Sequence, residues 1–212
     1  MSERSGSIDF YTNPMSRGRI ARWMLEECGC PYVSHVLEYG SSMKSPAYLA
    51  INPMGKVPAI VHHGVVVTET AAICAYLADA FPAANLAPPL NDAQRGSYLR
   101  WLFFAAGPVE AAVTQRGLGI EVPAEKAGMV GYGSFEQMVD TLEKVVAGAM
   151  PWLLGDHFTA ADVYLGSQVM FGLRFKSLPE RPAFVAYAQR LAARDAWKRA
   201  SALDDADIPA QS

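Results

Sequence analysis

SIDFYTNPMSRGRIARWMLEECGCPYVSHVL, the stretch from Ser7 to Leu37, decides the fold. Residues 7–11 (SIDFY) make a short strand-like run that Thr12, Asn13 and Pro14 interrupt with turn chemistry. Ile20, Trp23, Met24 and Glu27/Cys28 then recur at three-to-four spacing, which predicts a helix; Ser16 caps its start, and Gly29 with Pro31 stops it. Residues 32–37 (YVSHVL) form a second strand. A tight hairpin cannot contain that helix, so the two strands are expected to be parallel neighbours joined by a right-handed crossover.

Outward from this unit, Lys44 to Ile51 allows at most a short helix between Pro46 and Pro53. Pro58–His62 and Val65–Val67 flank His63-Gly64, the pattern of an antiparallel hairpin. A helix is expected next, with Thr68 as its cap and Glu69 in its first turn, running through Ile73, Tyr76 and Leu77 to Pro82. The order β-α-β, connector, β-β-α predicts a small mixed sheet with helices packed on it, an α/β domain over residues 1–82.

Within PAANLAPPLND (82–92), three prolines among small and polar residues make residues 83–92 a linker. Residues 93–212 read as an all-α domain. Asn91 or Asp92 caps a helix through Tyr98, Leu99, Leu102, Phe103 and Ala106, which Pro108 kinks or ends. Glu121 to Tyr132 is a connection. Phe135, Met138, Val139, Leu142, Val145 and Val146 follow the helical template. Thr159 to Asp162 is a capping box ahead of Val163, Tyr164 and Leu165. A last helix runs from about Pro182 through Phe184, Tyr187, Ala188 and Leu191.

Composition narrows the function classes. With 51% hydrophobic and 18% charged residues, the 212-residue chain is too apolar for disorder. A formal charge of −3 supplies no basic field, which argues against nucleic acid as a partner. No run of about eighteen apolar residues occurs, and the opening MSERSGS lacks a leader's apolar region, so the expectation is a cytoplasmic protein that does not enter a membrane. Cys28, Cys30 and Cys74 form no secreted-type disulfide pattern and suit a reducing compartment. Cys28 and Cys30 alone are half a zinc site, so no metal is expected. Histidines 35, 62, 63 and 157 show no ligand grouping beyond His62-His63, which belongs to the hairpin.

Four local motifs, in this order, carry a resemblance: FYTNPMSRGRIARWMLEE (Phe10–Glu27), NPMGKVPAI (Asn52–Ile60), TETAAICAYLA (Thr68–Ala78) and FTAADVYL (Phe158–Leu165). Together with the β-α-β/β-β-α, linker, all-α order they resemble the cytosolic glutathione transferase family. The motifs match its catalytic turn and first helix, its loop into a cis-proline, its acidic-plus-hydroxyl helix start with Thr70 in the serine place, and its capping box. The resemblance implies a thioredoxin-like N-terminal domain and a C-terminal helical bundle. It also implies glutathione as co-substrate without a metal, a small apolar electrophile as acceptor, and a homodimer. Within the family the pattern resembles bacterial, serine-type (theta/nu-like) members. No cysteine occupies the turn, where Met15 precedes Ser16, so it departs from the cysteine-type classes and their thiol-disulfide exchange.

Glutathione carries two carboxylates, an ammonium group, amide edges and a thiol. The helix start at Glu69-Thr70 presents free N–H groups and the positive dipole end to the γ-glutamyl carboxylate, with the Thr70 hydroxyl as a further donor and the Glu69 carboxylate for the ammonium; simple capping is the alternative. A cis Val57-Pro58 bond, which the resemblance implies, turns the Val57 N–H and C=O outward as an edge for the cysteinyl part; an ordinary trans proline opening an edge strand is the alternative. Lys56 and Lys44 are candidates for the glycyl carboxylate, or plain surface lysines.

Holding the thiol ionised at neutral pH requires lowering its pKa from about 8.5 by about two units, roughly 3 kcal/mol. One hydroxyl donor, about 1.5–3 kcal/mol to a charged group, plus a helix N-terminus supplies that. Ser16 sits in the turn immediately before the first helix and meets both conditions. Tyr11, near the end of the first strand, matches the position that tyrosine-type classes use, and backbone amides with Asn13 or Thr12 are a third source. Arg17 and Arg19 are candidates to add positive potential there. The electrophile pocket is expected between the domains, with Phe104 and Pro108 its foremost residues and Gly172 to Phe175 weaker ones. The same site also suits glutathione-dependent isomerisation, dehalogenation or peroxide reduction, and the same fold a non-catalytic binding protein.

Overall fold

The computed structural model describes residues 7–209; residues 1–6, on which the leader reading rested, lie outside the described residues. The described chain forms two compact units, one up to Asn85 together with the residues from Arg194 onward, the other Leu86–Ala193.

In the first unit β1 (Ile8–Thr12), α1 (Gly18–Cys28) and β2 (Tyr32–Val36) make the expected crossover: β1 and β2 are parallel, with Ile8 opposite Tyr32. A short α2 (Pro46–Leu49) precedes the hairpin of β3 (Ala59–His62) and β4 (Val65–Thr68), and the sheet order is β2-β1-β3-β4. His63 and Gly64 both adopt positive φ, 51° and 78°, the backbone that a two-residue hairpin needs to match strand twist. The pleat of β1 buries Ile8, Phe10 and Thr12 on one face and half-buries Asp9 and Tyr11 on the other. α1 buries Ile20, Ala21, Trp23, Met24 and Leu25 and stops at Gly29, whose left-handed backbone (φ 62°) lets its N–H reach the Leu25 carbonyl at 3.0 Å.

Two expectations fail here. Thr68 does not cap a helix; it is the last residue of β4, and α3 (Thr70–Ala80) starts one residue after Glu69, which sits at φ 64°. The chain also carries a helix that the sequence reading lacks, α9 (Asp195–Ala206), and it packs against α1. The residues from Arg194 on therefore group with the N-terminal unit rather than with the helical region assigned to 93–212. The buried Arg22 guanidinium makes the joint: Nε donates to Asp204 at 2.7 Å, Nη2 to Asp207 at 2.5 Å and Nη1 to the Ser34 hydroxyl at 3.2 Å. Arg194 forks onto Glu27 at 2.6 and 2.7 Å, and Arg19 pairs with Asp205 at 2.6 Å.

The second unit is helical: α4 (Gln94–Phe104), α5 (Glu110–Gly117), α6 (Phe135–Ala147), α7 (Ala160–Arg174) and α8 (Pro182–Ala192). The Asp92 carboxylate accepts the Gln94 N–H at 2.7 Å at the head of α4. Pro108 does not end the helix; Ala105–Val109 widen into a π turn and the chain continues as α5, which accommodates a residue without an N–H. Asp162 is fully buried and accepts from Thr159 N–H (2.9 Å), Leu153 N–H (2.8 Å) and the Tyr187 hydroxyl (2.7 Å), so the box at the head of α7 also ties α8 into the core.

Candidate functional site

The turn between β1 and α1 is built by its own side chains. Asn13 accepts the Met15 N–H on Oδ1 at 2.9 Å and donates from Nδ2 to the Leu37 carbonyl at 2.7 Å, which fixes the turn against the end of β2. Half-buried Ser16 donates from Oγ to the Asn13 carbonyl at 2.7 Å and accepts the Gly18 N–H, the first of α1, at 2.9 Å. Its oxygen therefore sits on the positive end of a helix, as the sequence predicts. Asn13 thereby braces the turn. Arg19 is spent on the Pro14 carbonyl (2.6 Å) and on Asp205, so it adds little free potential to the turn.

Gly18, which the sequence reading passed over, and Thr12, which it named only as an alternative donor, complete this corner. A Cβ at Gly18 would lie 2.0 Å from Thr12 Oγ1 and 2.9 Å from Ser16 Oγ, so only glycine lets β1, the turn and α1 close on one another. Thr12 is fully buried, and its hydroxyl has no hydrogen-bond partner among the described residues. A glycine at the first position of a helix, where it is a poor former, was the available signal.

Tyr11 lies on the other face of β1. Its ring stacks on His35 at 4.7 Å and tilts against Tyr48 at 5.5 Å, while His35 pairs with Asp9 at 2.8 Å. Burial, and secondarily the Asp9 charge, push the Tyr11 phenol above its ordinary value, which keeps it protonated. The alternation of β1 thus turns Tyr11 away from the face on which Thr12 meets Gly18.

The Val57-Pro58 bond is cis, and neither the N–H nor the C=O of Val57 makes a backbone hydrogen bond among the described residues. The loop is held from behind by Tyr48 and Asn52, whose hydroxyl and amide donate to the Lys56 carbonyl at 2.5 and 2.8 Å; neither was singled out in the sequence. Lys44 donates to the Met54 and Gly55 carbonyls at 3.2 and 2.9 Å, so it braces this loop. The Lys56 side chain is exposed. Glu69 is exposed, and its positive φ sets Thr70, 8% exposed, as the first residue of α3.

Phe104 and Pro108 stand one helical turn apart in the second unit, both half-buried, with Phe104 edge-on to Trp101 at 5.8 Å. Neither lines a cavity of about 260 Å³ in that unit that Arg116, Phe135, Val139 and Leu178 border. Gly172 is packed on Leu178 and Phe175 is exposed beside Phe171, so that segment does not line it either. His62 Nδ1 meets the Tyr76 hydroxyl at 2.9 Å, and no group of three His, Cys, Asp or Glu among the described residues could hold a metal.

The sheet order β2-β1-β3-β4 with α1 and α3 gives the first unit a thioredoxin-like fold. Residues 15–80 match the family model described as glutathione S-transferase, N-terminal domain. The chain is 30% identical to glutathione S-transferase GstA of Escherichia coli O157:H7 over 69% of this chain and 73% of that protein. It is 30% identical to maleylacetoacetate isomerase of Pseudomonas aeruginosa over 83% of this chain and 85% of that one. In three dimensions it is similar to the theta class glutathione S-transferase of Xanthomonas axonopodis pv. citri, solved with glutathione bound, with a TM-score of 0.72, 27% identity and coverage of 92% and 97%. The chain belongs to the glutathione S-transferase family.

Proposed function

We propose that this protein is a serine-type glutathione transferase that ionises the thiol of glutathione and conjugates it to small hydrophobic electrophiles. The observation that carries the reading is Ser16, whose hydroxyl is held at the start of α1 against the Gly18 N–H at 2.9 Å. Turning its proton from the Asn13 carbonyl to a sulfur exchanges one acceptor for a charged one, a gain of order 1 kcal/mol before the helix dipole is added. Val57 offers its N–H and C=O to the cysteinyl amides. Thr70 and the first N–H groups of α3 receive the γ-glutamyl carboxylate, with Glu69 on the ammonium and Lys56 nearest in chemistry to the glycyl carboxylate.

The reaction needs no covalent enzyme intermediate. The thiolate attacks the electrophilic carbon, a carbon–sulfur bond forms, and the leaving group departs with the electron pair. Phe104 and Pro108 are the apolar side chains proposed to receive the acceptor. A homodimer in the cytoplasm acting in detoxification completes the proposal, with sedimentation as the check on assembly.

In the test, kcat/KM with a chlorinated aromatic acceptor is compared near neutral pH for Ser16→Ala and Tyr11→Phe. Ser16→Ala is expected to lose about 10- to 100-fold, mostly in kcat, and Tyr11→Phe less than about threefold. The reverse order overturns the assignment. The similarity to a maleylacetoacetate isomerase favours a second reading on the same site, in which the thiolate adds to a double bond and leaves again. Turnover of a cis-enone without consumption of glutathione would select it. A chain that neither binds glutathione nor turns over either acceptor is a scaffold.

A further inference from the structure

All three cysteines fall in the first unit, and the structure brings two of them into a reactive arrangement at the C-terminal end of α1. Gly29, between Cys28 and Cys30, holds φ 62° and ψ 25°. A left-handed helical residue brings the Cα atoms on its two sides to about 5.5 Å, inside the span of about 4.4–6.8 Å that a disulfide bridges, whereas an extended residue would hold them near 7 Å. Each of the two thiols is the strongest electrostatic neighbour of the other. Cys28 also contacts the Leu77 carbonyl at 3.8 Å, and Cys30 the Leu25 carbonyl at 3.9 Å. Cys28 is half-buried and Cys30 is 8% exposed, while Cys74 is sealed within α3.

We propose that Cys28 and Cys30 are a redox modification site, a dithiol that hydrogen peroxide or an alkyl hydroperoxide converts to a disulfide and that excess thiol restores. The neighbouring Cys28 thiol lowers the Cys30 thiol, while Cys30 and burial raise Cys28, so Cys30 attacks. Its thiolate sulfur bonds one peroxide oxygen as the O–O bond breaks, and the departing oxygen takes a proton and leaves as water or alcohol. The Cys28 sulfur then displaces the sulfenic hydroxyl, which leaves as water with the Cys28 proton. Two thiols give up two electrons and two protons, and the peroxide is the oxidant reduced. The pair sits beyond the far end of an eleven-residue helix from Ser16, about 16 Å along the axis, so its chemistry is read independently of catalysis.

The test treats the full chain with a small excess of hydrogen peroxide, then denatures it and counts thiols. The count is expected to fall from three to one, with an intact mass lower by two hydrogens, a Cys28–Cys30 link in the peptide map, and full recovery with dithiothreitol. Cys74→Ala should still form the link. Cys28→Ser should instead leave a dimedone-trapped sulfenic acid on Cys30. A link through Cys74, a link between two chains, oxygen gain in place of hydrogen loss, or an unchanged thiol count overturns the proposal. The map of the unsubstituted chain decides it even if a variant fails to fold.

Discussion

Ser16 is not the cap residue of α1, a place that Arg17 takes, but it donates to one backbone carbonyl and accepts the first N–H of the helix, so its hydroxyl is held at a defined point. The precision of that point depends on Gly18. Gly18→Ala would drive a methyl group into Thr12 Oγ1, and in a closed corner such overpacking costs about 1–3 kcal/mol. The expected outcome is a Tm several degrees lower with a loss of kcat, and partial recovery of both in the Thr12→Ala/Gly18→Ala double variant, which removes the oxygen that the new Cβ meets. Thermal melts with steady-state kinetics check it, and an unchanged Tm would show the corner to be soft. The position of Ser16 between β1 and α1 was legible in the sequence. Its supports were not. Thr12, Tyr48 and Asn52 act through packing and through the Lys56 carbonyl, and these have no spacing pattern.

At the scale of elements, the joint between α1 and α9 sets a pH dependence. Burial pushes the Asp204 carboxyl up to about 6, and the facing cations Arg22 and Arg19 only partly oppose it, with Asp207 adding repulsion. A folded pKa above the unfolded value of about 3.9 means that this group's stabilising contribution is complete below that value and is lost as pH rises through about 6. Relative to Asp204→Asn, the unsubstituted chain should therefore gain stability on acidification from about pH 7 to about pH 4, by up to about 3 kcal/mol. Urea melts across that range check it; a gain on alkalisation would contradict the account. The same joint explains an omission. Periodicity finds helices that bury large apolar side chains, and the hairpin, the Gly29 stop and the Asp162 box were legible for local reasons. α9 buries Ala196, Ala200 and Asp204, so its inner face reads as polar and small, and no hydrophobic stripe marks it. The head of α3 was misplaced by one residue for a different reason: Glu69 takes a positive φ that sequence preference disfavours.

For the whole molecule, the division into units does not follow the chain. The helix at the C-terminal side, α9, shares a unit with β1 and α1. Native-state hydrogen exchange should therefore show the α9 amides opening together with those of β1 and α1 under rising denaturant, and separately from those of α8. Joint opening of α9 with α8 would contradict the grouping.

The most direct test of the central claim is the ultraviolet thiolate absorbance of the glutathione-saturated protein, titrated with pH beside Ser16→Ala. The account predicts a bound thiol with a pKa near about 6.5, raised by about one to two units when the serine hydroxyl is removed. A thiol that titrates near its free value of about 8.5 in the unsubstituted protein, or one that Ser16→Ala leaves where it was, contradicts it.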